Sequence, residues 1–334
     1  MSEHAELFAA LADVPPERAL DELVERLRAG DAPDLLFDAL LLQAKRDLGA
    51  PAVRASTFDG LPEEKSEEFE KAYLTAAREV IRRHADAGRL DRAFDYARTI
   101  GEPNLLEPYV AEIDPQQFVG AEIDEERLEL LTSITLHEGV HPENGVKLML
   151  ASRGTCNTIT LVDTLWARFK PEEKKGVAAV LAEHLHGELL ENLAAEIAAH
   201  PSGGAESVPE ENGSLRPLLA GRPWLTADMA YHTDVSHLQA AVRNGRDLPP
   251  DHPSFDKVVE LAEYGAKLDQ TLQYPGRPPF TEFYPAHLRY LAALSGRGRD
   301  EAFRYFKKQV ASADAHDRPL AAIELVNLLK RCGE

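Results

Sequence analysis

Pro62-Glu-Glu-Lys-Ser-Glu-Glu-Phe69-Glu-Lys-Ala-Tyr73-Leu-Thr-Ala76-Ala-Arg-Glu-Val80-Ile81-Arg-Arg-His84 is the stretch whose spacing decides the fold. Phe69, Tyr73, Ala76, Val80 and Ile81 return at intervals of three and four, which lines them along one side of a helix. Glu63, Glu64, Glu67 and Glu68 crowd the first turns, where the helix dipole favours negative charge. Pro62 suits the first helical position, because the donor it lacks has no partner there. Gly88 breaks the pattern, and Leu90, Phe94 and Ala97 begin a second stripe.

The same grammar, with Pro or Asp starts and Gly or Pro stops, extends in both directions. It predicts helices over 16–28, 35–48, 104–113, 124–137, 143–152, 158–169, 171–200, 254–272, 282–294, 300–313 and 320–331. No run of alternating residues suits a strand. Two segments depart from helical spacing. Residues 201–214 carry almost no apolar side chains and read as a mobile surface loop. Residues 273–281 hold three prolines between Tyr274 and Phe280, and read as a segment packed on helices. Helices on both sides of 201–214 have the same character. The expectation is therefore one array over 1–334, with a subdivision into 1–200 and 215–334 as the alternative.

The stretch Gly88-Arg-Leu-Asp-Arg-Ala93-Phe-Asp-Tyr-Ala97 resembles the turn and second helix of a tetratricopeptide-type repeat. In that family a Gly closes the turn, and a small residue five positions later lets two helices approach. Gly296-Arg-Gly-Arg-Asp-Glu-Ala302-Phe-Arg-Tyr-Phe306 is similar with one extra residue, and His141-Pro-Glu-Asn-Gly145-Val-Lys-Leu-Met149 is a fainter copy. The likeness covers roughly a quarter of the chain and does not keep the family's period of about 34 residues. It implies an all-α solenoid, a superhelix of stacked antiparallel helix pairs, and with it a concave groove for a protein or peptide partner.

Composition narrows the function classes. Hydrophobic residues make up 44% of the 334, enough for a folded core, and aromatics only 7%, which favours helix over sheet. The net charge is −20, from 37 basic and 57 acidic residues. Such a surface repels phosphate backbones and anionic membranes, so neither nucleic acid nor membrane is expected as a partner, and a basic protein or peptide is favoured. Cys156 and Cys332 are too few for a disulfide framework or a thiolate cluster. Met1-Ser2-Glu3-His4 lacks the basic-then-apolar order of a secretory signal, so a cytoplasmic location is expected.

Four groups of residues could carry chemistry. His137-Glu138-Gly139-Val140-His141 has the spacing of zinc peptidases, in which two histidines on one helical face grip the metal and the glutamate is the base on bound water. Gly139 and Pro142 weaken a helix there, and no third ligand is evident beyond Asp163. Glu138-x-x-His141, Glu183-x-x-His186 and Asp234-x-x-His237 also have the carboxylate–imidazole spacing of helical di-iron sites, where Glu138 would be a ligand. Tyr231-His232-Thr-Asp234-Val-Ser-His237 reads either as a metal-holding loop or as a polar knot in which Asp234 caps a helix beginning near Ser236. Cys156 beside Asn157 is either a nucleophile with a histidine base or a small core residue, with Thr155 or Asn157 as an N-cap. His184 and Glu188, four apart, read as a solvated pair.

The sequence thus favours a non-enzymatic helical scaffold needing no cofactor. The alternative is a metal enzyme, using zinc for hydrolysis or iron for oxidation, with Glu138 as the catalytic group and His137, His141, His232, Asp234 and His237 as candidate ligands.

Overall fold

The computed structural model describes residues 11–12, 14–51, 55, 60–120, 123–200 and 213–334, and among them every regular element is a helix. Most of the expected loop at 201–214 lies outside the described residues. None of the described helices is long and apolar enough to cross a membrane. The chain divides into two units. One comprises Met1–Asp114 with Asp124–His141, and the other Pro115–Ile123 with Pro142–Glu334. The chain thus passes between the units at Asp114–Pro115, Ile123–Asp124 and His141–Pro142.

The first unit is built from α1 (Pro16–Ala29), α2 (Pro33–Asp47), α3 (Ser66–Asp86), α4 (Leu90–Thr99), the short α5 (Glu107–Ala111) and α6 (Glu125–Thr132). Each of α1 to α4 packs on its neighbours in sequence. The apolar stripe read from 62–84 is the buried face of α3: Phe69, Ala76, Val80 and Ile81 are buried, with Tyr73 packed beside them. Phe37 of α2 meets Tyr73 and Tyr96 edge-on at centroid distances of 5.2 and 5.1 Å. Gly88, at φ +74°, turns the chain back between α3 and α4, a conformation an L side chain resists. The helix expected over 104–113 is split, because Pro103–Leu106 forms a 3₁₀ turn before α5.

The second unit holds a 3₁₀ turn (Pro115–Phe118), α7 (Pro142–Leu165), α8 (Pro171–Ala199), α9 (Arg216–Leu219), α10 (Val235–Gly245), α11 (Phe255–Gly265), α12 (Phe283–Leu294), α13 (Arg299–Ser312) and α14 (Arg318–Cys332). Helix α8 is its axis, packing on α7, α10 and α11. It buries Val177, Leu181, Leu185, Leu189, Leu193 and Ile197. From there α10, α11, α12, α13 and α14 again pack on near neighbours in sequence. The close passage of α11 and α12 depends on Gly265, where a Cβ would lie 2.2 Å from a ring carbon of Tyr284.

Several expectations change. Within α7 the two helices expected at 143–152 and 158–169 follow each other, and the break between them narrows to Gly154, whose φ 74° and ψ 176° are not helical. The third repeat-like copy at 141–149 contains no turn, since Gly145 is buried inside α7. The helix over 254–272 stops at Gly265, and Asp269 caps a separate 3₁₀ turn at Gln270–Leu272 by accepting from Thr271 N–H at 2.9 Å. In 273–281 Phe280 is buried against the His287 ring at 4.3 Å, whereas Tyr274 is exposed.

Candidate functional site

The 137–141 string does not form the helical face its spacing implied. After α6 the backbone makes a π-helical turn at Ser133–His137, with Glu138 N–H bonded to Ser133 O at 3.0 Å. Gly139 then takes φ +71°, and α7 starts only at Pro142. His137 and His141 therefore flank a left-handed corner in place of stacking one turn apart on a helix. His137 and Glu138 are exposed and His141 half-buried.

In the second unit the other candidates have identifiable roles. Asp234 is the N-cap of α10. Its Oδ1 accepts from Ser236 N–H at 2.8 Å, His237 N–H at 3.2 Å and the Ser236 hydroxyl at 2.5 Å. The Ser236 hydroxyl and these backbone donors hold its carboxyl below the usual range. His232 is fixed by Tyr264, whose hydroxyl accepts from His232 N–H at 3.0 Å and lies 3.1 Å from Nδ1. Burial lowers the His232 pKa and raises that of Tyr264 to about 12, so both are neutral at pH 7. Asn192 of α8 donates to His232 O at 2.7 Å. Tyr231 is 58% exposed, next to a backbone in which Asp228 and Met229 both have positive φ, 52° and 64°.

The Glu183-x-x-His186 pair is divided between two partners on or beside α11. Glu183 accepts from the Ser254 hydroxyl at 2.6 Å, and His186 Nε2 lies 2.8 Å from Glu260 Oε2. Glu260, only 3% exposed, also accepts from Leu215 N–H at 2.7 Å and from the Ser214 hydroxyl, with Arg216 at 3.1 Å. Burial pushes this carboxyl up, but the bonds from His186, Ser214 and Leu215 and the Arg216 charge outweigh it and leave the pKa lowered. Glu260 is the charged centre of a buried knot of hydrogen bonds. Among the described residues, no three His, Cys, Asp or Glu side chains group so as to hold a metal.

Cys156 and His237 both line an open groove of about 560 Å³ between α7 and α10. Ile159, Thr160, Asp163 and Thr164 form one wall, and Ser236, Gln239, Ala240 and Arg243 the other. The Asp163 carboxylate accepts two bonds from Arg243, at 2.6 and 2.8 Å, which tie the walls together. That contact assigns Asp163 to an ion pair in place of the third-ligand role its sequence position allowed. Gln239 donates to Tyr274 O at 2.8 Å, bringing the exposed Tyr274 to the rim. His184 stands nearby on α8. Its Nε2 is 2.9 Å from the Thr155 hydroxyl and 3.7 Å from Glu188, and burial lowers its pKa, opposed by Glu188 and reinforced by His237. Thr155 is thus a partner of His184, and Asn157 donates to Arg153 O at 2.9 Å, so neither serves as the expected N-cap.

Chemically the groove offers threonine hydroxyls, an amide, a thiol and an imidazole beside a neutralised ion pair. The thiol and imidazole are metal-type donors, but Asp163 is engaged by Arg243 and no third donor joins them among the described residues, whereas the hydroxyls and the amide can hydrogen-bond a polypeptide main chain. Sequence reasoning missed the groove because its walls are formed by residues about 80 positions apart. A scan against protein-family models and searches of curated proteins and of solved structures return no match to this chain.

Proposed function

We propose that the protein is a non-enzymatic helical-repeat scaffold that binds a peptide or protein segment in the α7–α10 groove of its second unit. The observation that carries this reading is the groove itself, with its walls fixed by Asp163–Arg243 and Tyr274 held at its rim by Gln239. Exposed tyrosines supply large contact area at low entropic cost, and Tyr274 is 54% exposed. The nearest-neighbour packing of helices within each unit supports a solenoid-type stack of helix pairs, the architecture the tetratricopeptide resemblance implies. A net charge of −20 favours a basic segment and disfavours nucleic acid and anionic membrane.

Selection of binders from a displayed random-peptide library tests the proposal. Basic peptides should be enriched, and Thr160→Trp with Thr164→Trp, which fills the groove from exposed positions, should weaken them about tenfold or more without changing the melting temperature. Peptides that bind the filled variant as well as the parent would remove the groove from the account. Stoichiometric zinc or iron in the purified protein, lost in a folded His141→Ala variant, would replace the scaffold with the metal-enzyme reading.

A further inference from the structure

Helix α14 is apolar on two opposite sides. Ala321, Leu328 and Cys332 are buried against the unit, with α12 and α13 as its packing neighbours. On the far side Leu320, Ile323 and Val326 follow at intervals of three and are 49%, 56% and 59% exposed. They account for three of the eight large apolar side chains that stand exposed among the described residues. A helix at the outside of a stacked array ordinarily turns a polar face to water, because an apolar one invites further stacking.

Charge along α14 indicates what covers that face. Asp314 and Asp317 precede the first turn, which opens with Arg318, and Lys330 stands exposed in the last, where Arg331 is held by Arg246 O and Leu248 O. A second copy of α14 laid antiparallel reverses this order, so each acidic end meets a basic end and the helix dipoles also oppose. With the pair centred on Ile323, Leu320 faces Val326 of the other copy, and Lys330 comes beside Asp317. A parallel pair would instead set acid on acid. The face is thus complementary to itself in one orientation only, as an isologous twofold contact requires.

We propose that the outward face of α14 is a self-association surface through which two copies of this chain pair antiparallel about a twofold axis. The exposed apolar area is modest compared with obligate dimers, so association is reversible and concentration-dependent. Sedimentation velocity on the full chain across a micromolar concentration series tests it. A monomer–dimer equilibrium is expected. Ile323→Asp, at an exposed position, should weaken it about a hundredfold while leaving the circular-dichroism spectrum and melting temperature unchanged. Lys330→Asp should weaken the dimer several-fold, and adding Asp317→Lys should restore it, a rescue that general damage to α14 would not produce. A wild-type chain that stays monomeric throughout, or a dimer indifferent to Ile323→Asp, would overturn the proposal.

Discussion

The two units bury similar helix pairs but put their charge in different places. In the first, three arginine–carboxylate pairs face solvent, Arg28 with Glu79 at 3.0 and 3.1 Å, Arg89 with Asp31, and Arg78 with Glu102, while Lys45 and His84 are buried, the latter 3.2 Å from Asp34. In the second, the knot at Glu260 is inside, joining α8, α11 and the residues that lead into α9. Surface pairs contribute little and are screened by salt, whereas a buried carboxylate with four partners is costly to disturb, since every partner loses its bond at once. The first unit should therefore tolerate the loss of any one of these three pairs, and the second should not tolerate the loss of Glu260.

The largest effect is expected for Glu260→Ala. Leaving His186 and the Leu215 amide without their acceptor should destabilise the second unit by about 3–5 kcal/mol, although Arg216 keeps Asp256 and Glu263. Hydrogen exchange should accelerate in α8 and α11 while α1 to α4 keep their protection. A variant that melts with the wild type would erase the contrast.

Acid provides the next test. His287 is buried, donates from Nδ1 to Phe283 O, and has its pKa pushed well below the usual value by burial, with Arg246 and Arg243 adding to the effect. Burial lowers His184 and His232 in the same unit. A histidine depressed in the folded state takes its proton first in the unfolded chain. Stability is therefore lost as pH falls below about 6.5, by at most about 1.4 kcal/mol per pH unit for each group. Glu260 adds a second loss at lower pH, because its own pKa is lowered and its contribution disappears as pH drops through that folded value. Melts between pH 7 and pH 5 should show the second unit weakening, and His287→Phe should reduce the slope. A slope unchanged by that substitution would rule out the histidine account.

Asp234→Ala removes the α10 cap and should cost about 1 kcal/mol, with Asp234→Asn losing much less. The smallest effect belongs to the surface. A double-mutant cycle on Arg28 and Glu79 should give a coupling of at most about 1 kcal/mol, shrinking further in high salt. A coupling as large as the loss in Glu260→Ala would mean that the first unit also has a hidden electrostatic centre.

What the sequence disclosed follows from the range over which each signal acts. The stripe Phe69, Tyr73, Ala76, Val80 and Ile81 is local, and so it forecast α3 correctly. Asp234 as a cap for α10 was equally local, needing only the two residues after it. His137 to His141 has the spacing of a helical face that the backbone does not form, and Gly139 and Pro142 already marked the place where the helix fails. The groove gave no such warning. Thr155 meets His184 across 29 positions and Asp163 meets Arg243 across 80, distances over which spacing carries no periodic signal. Glu183-x-x-His186 had the right pattern for neighbours on one helix, but packing gave its two members separate acceptor and donor partners.

The connection between α8 and α9 is anchored at both banks. On one side the His200 ring stacks on Trp224 at 4.0 Å, and on the other Ser214 and Leu215 hold the Glu260 carboxylate. Backbone continuity through 201–212 is therefore redundant for keeping its flanking helices in register. Two polypeptides divided there should reassemble when mixed, which makes this the natural place to split the protein into complementing halves or to insert a reporter domain.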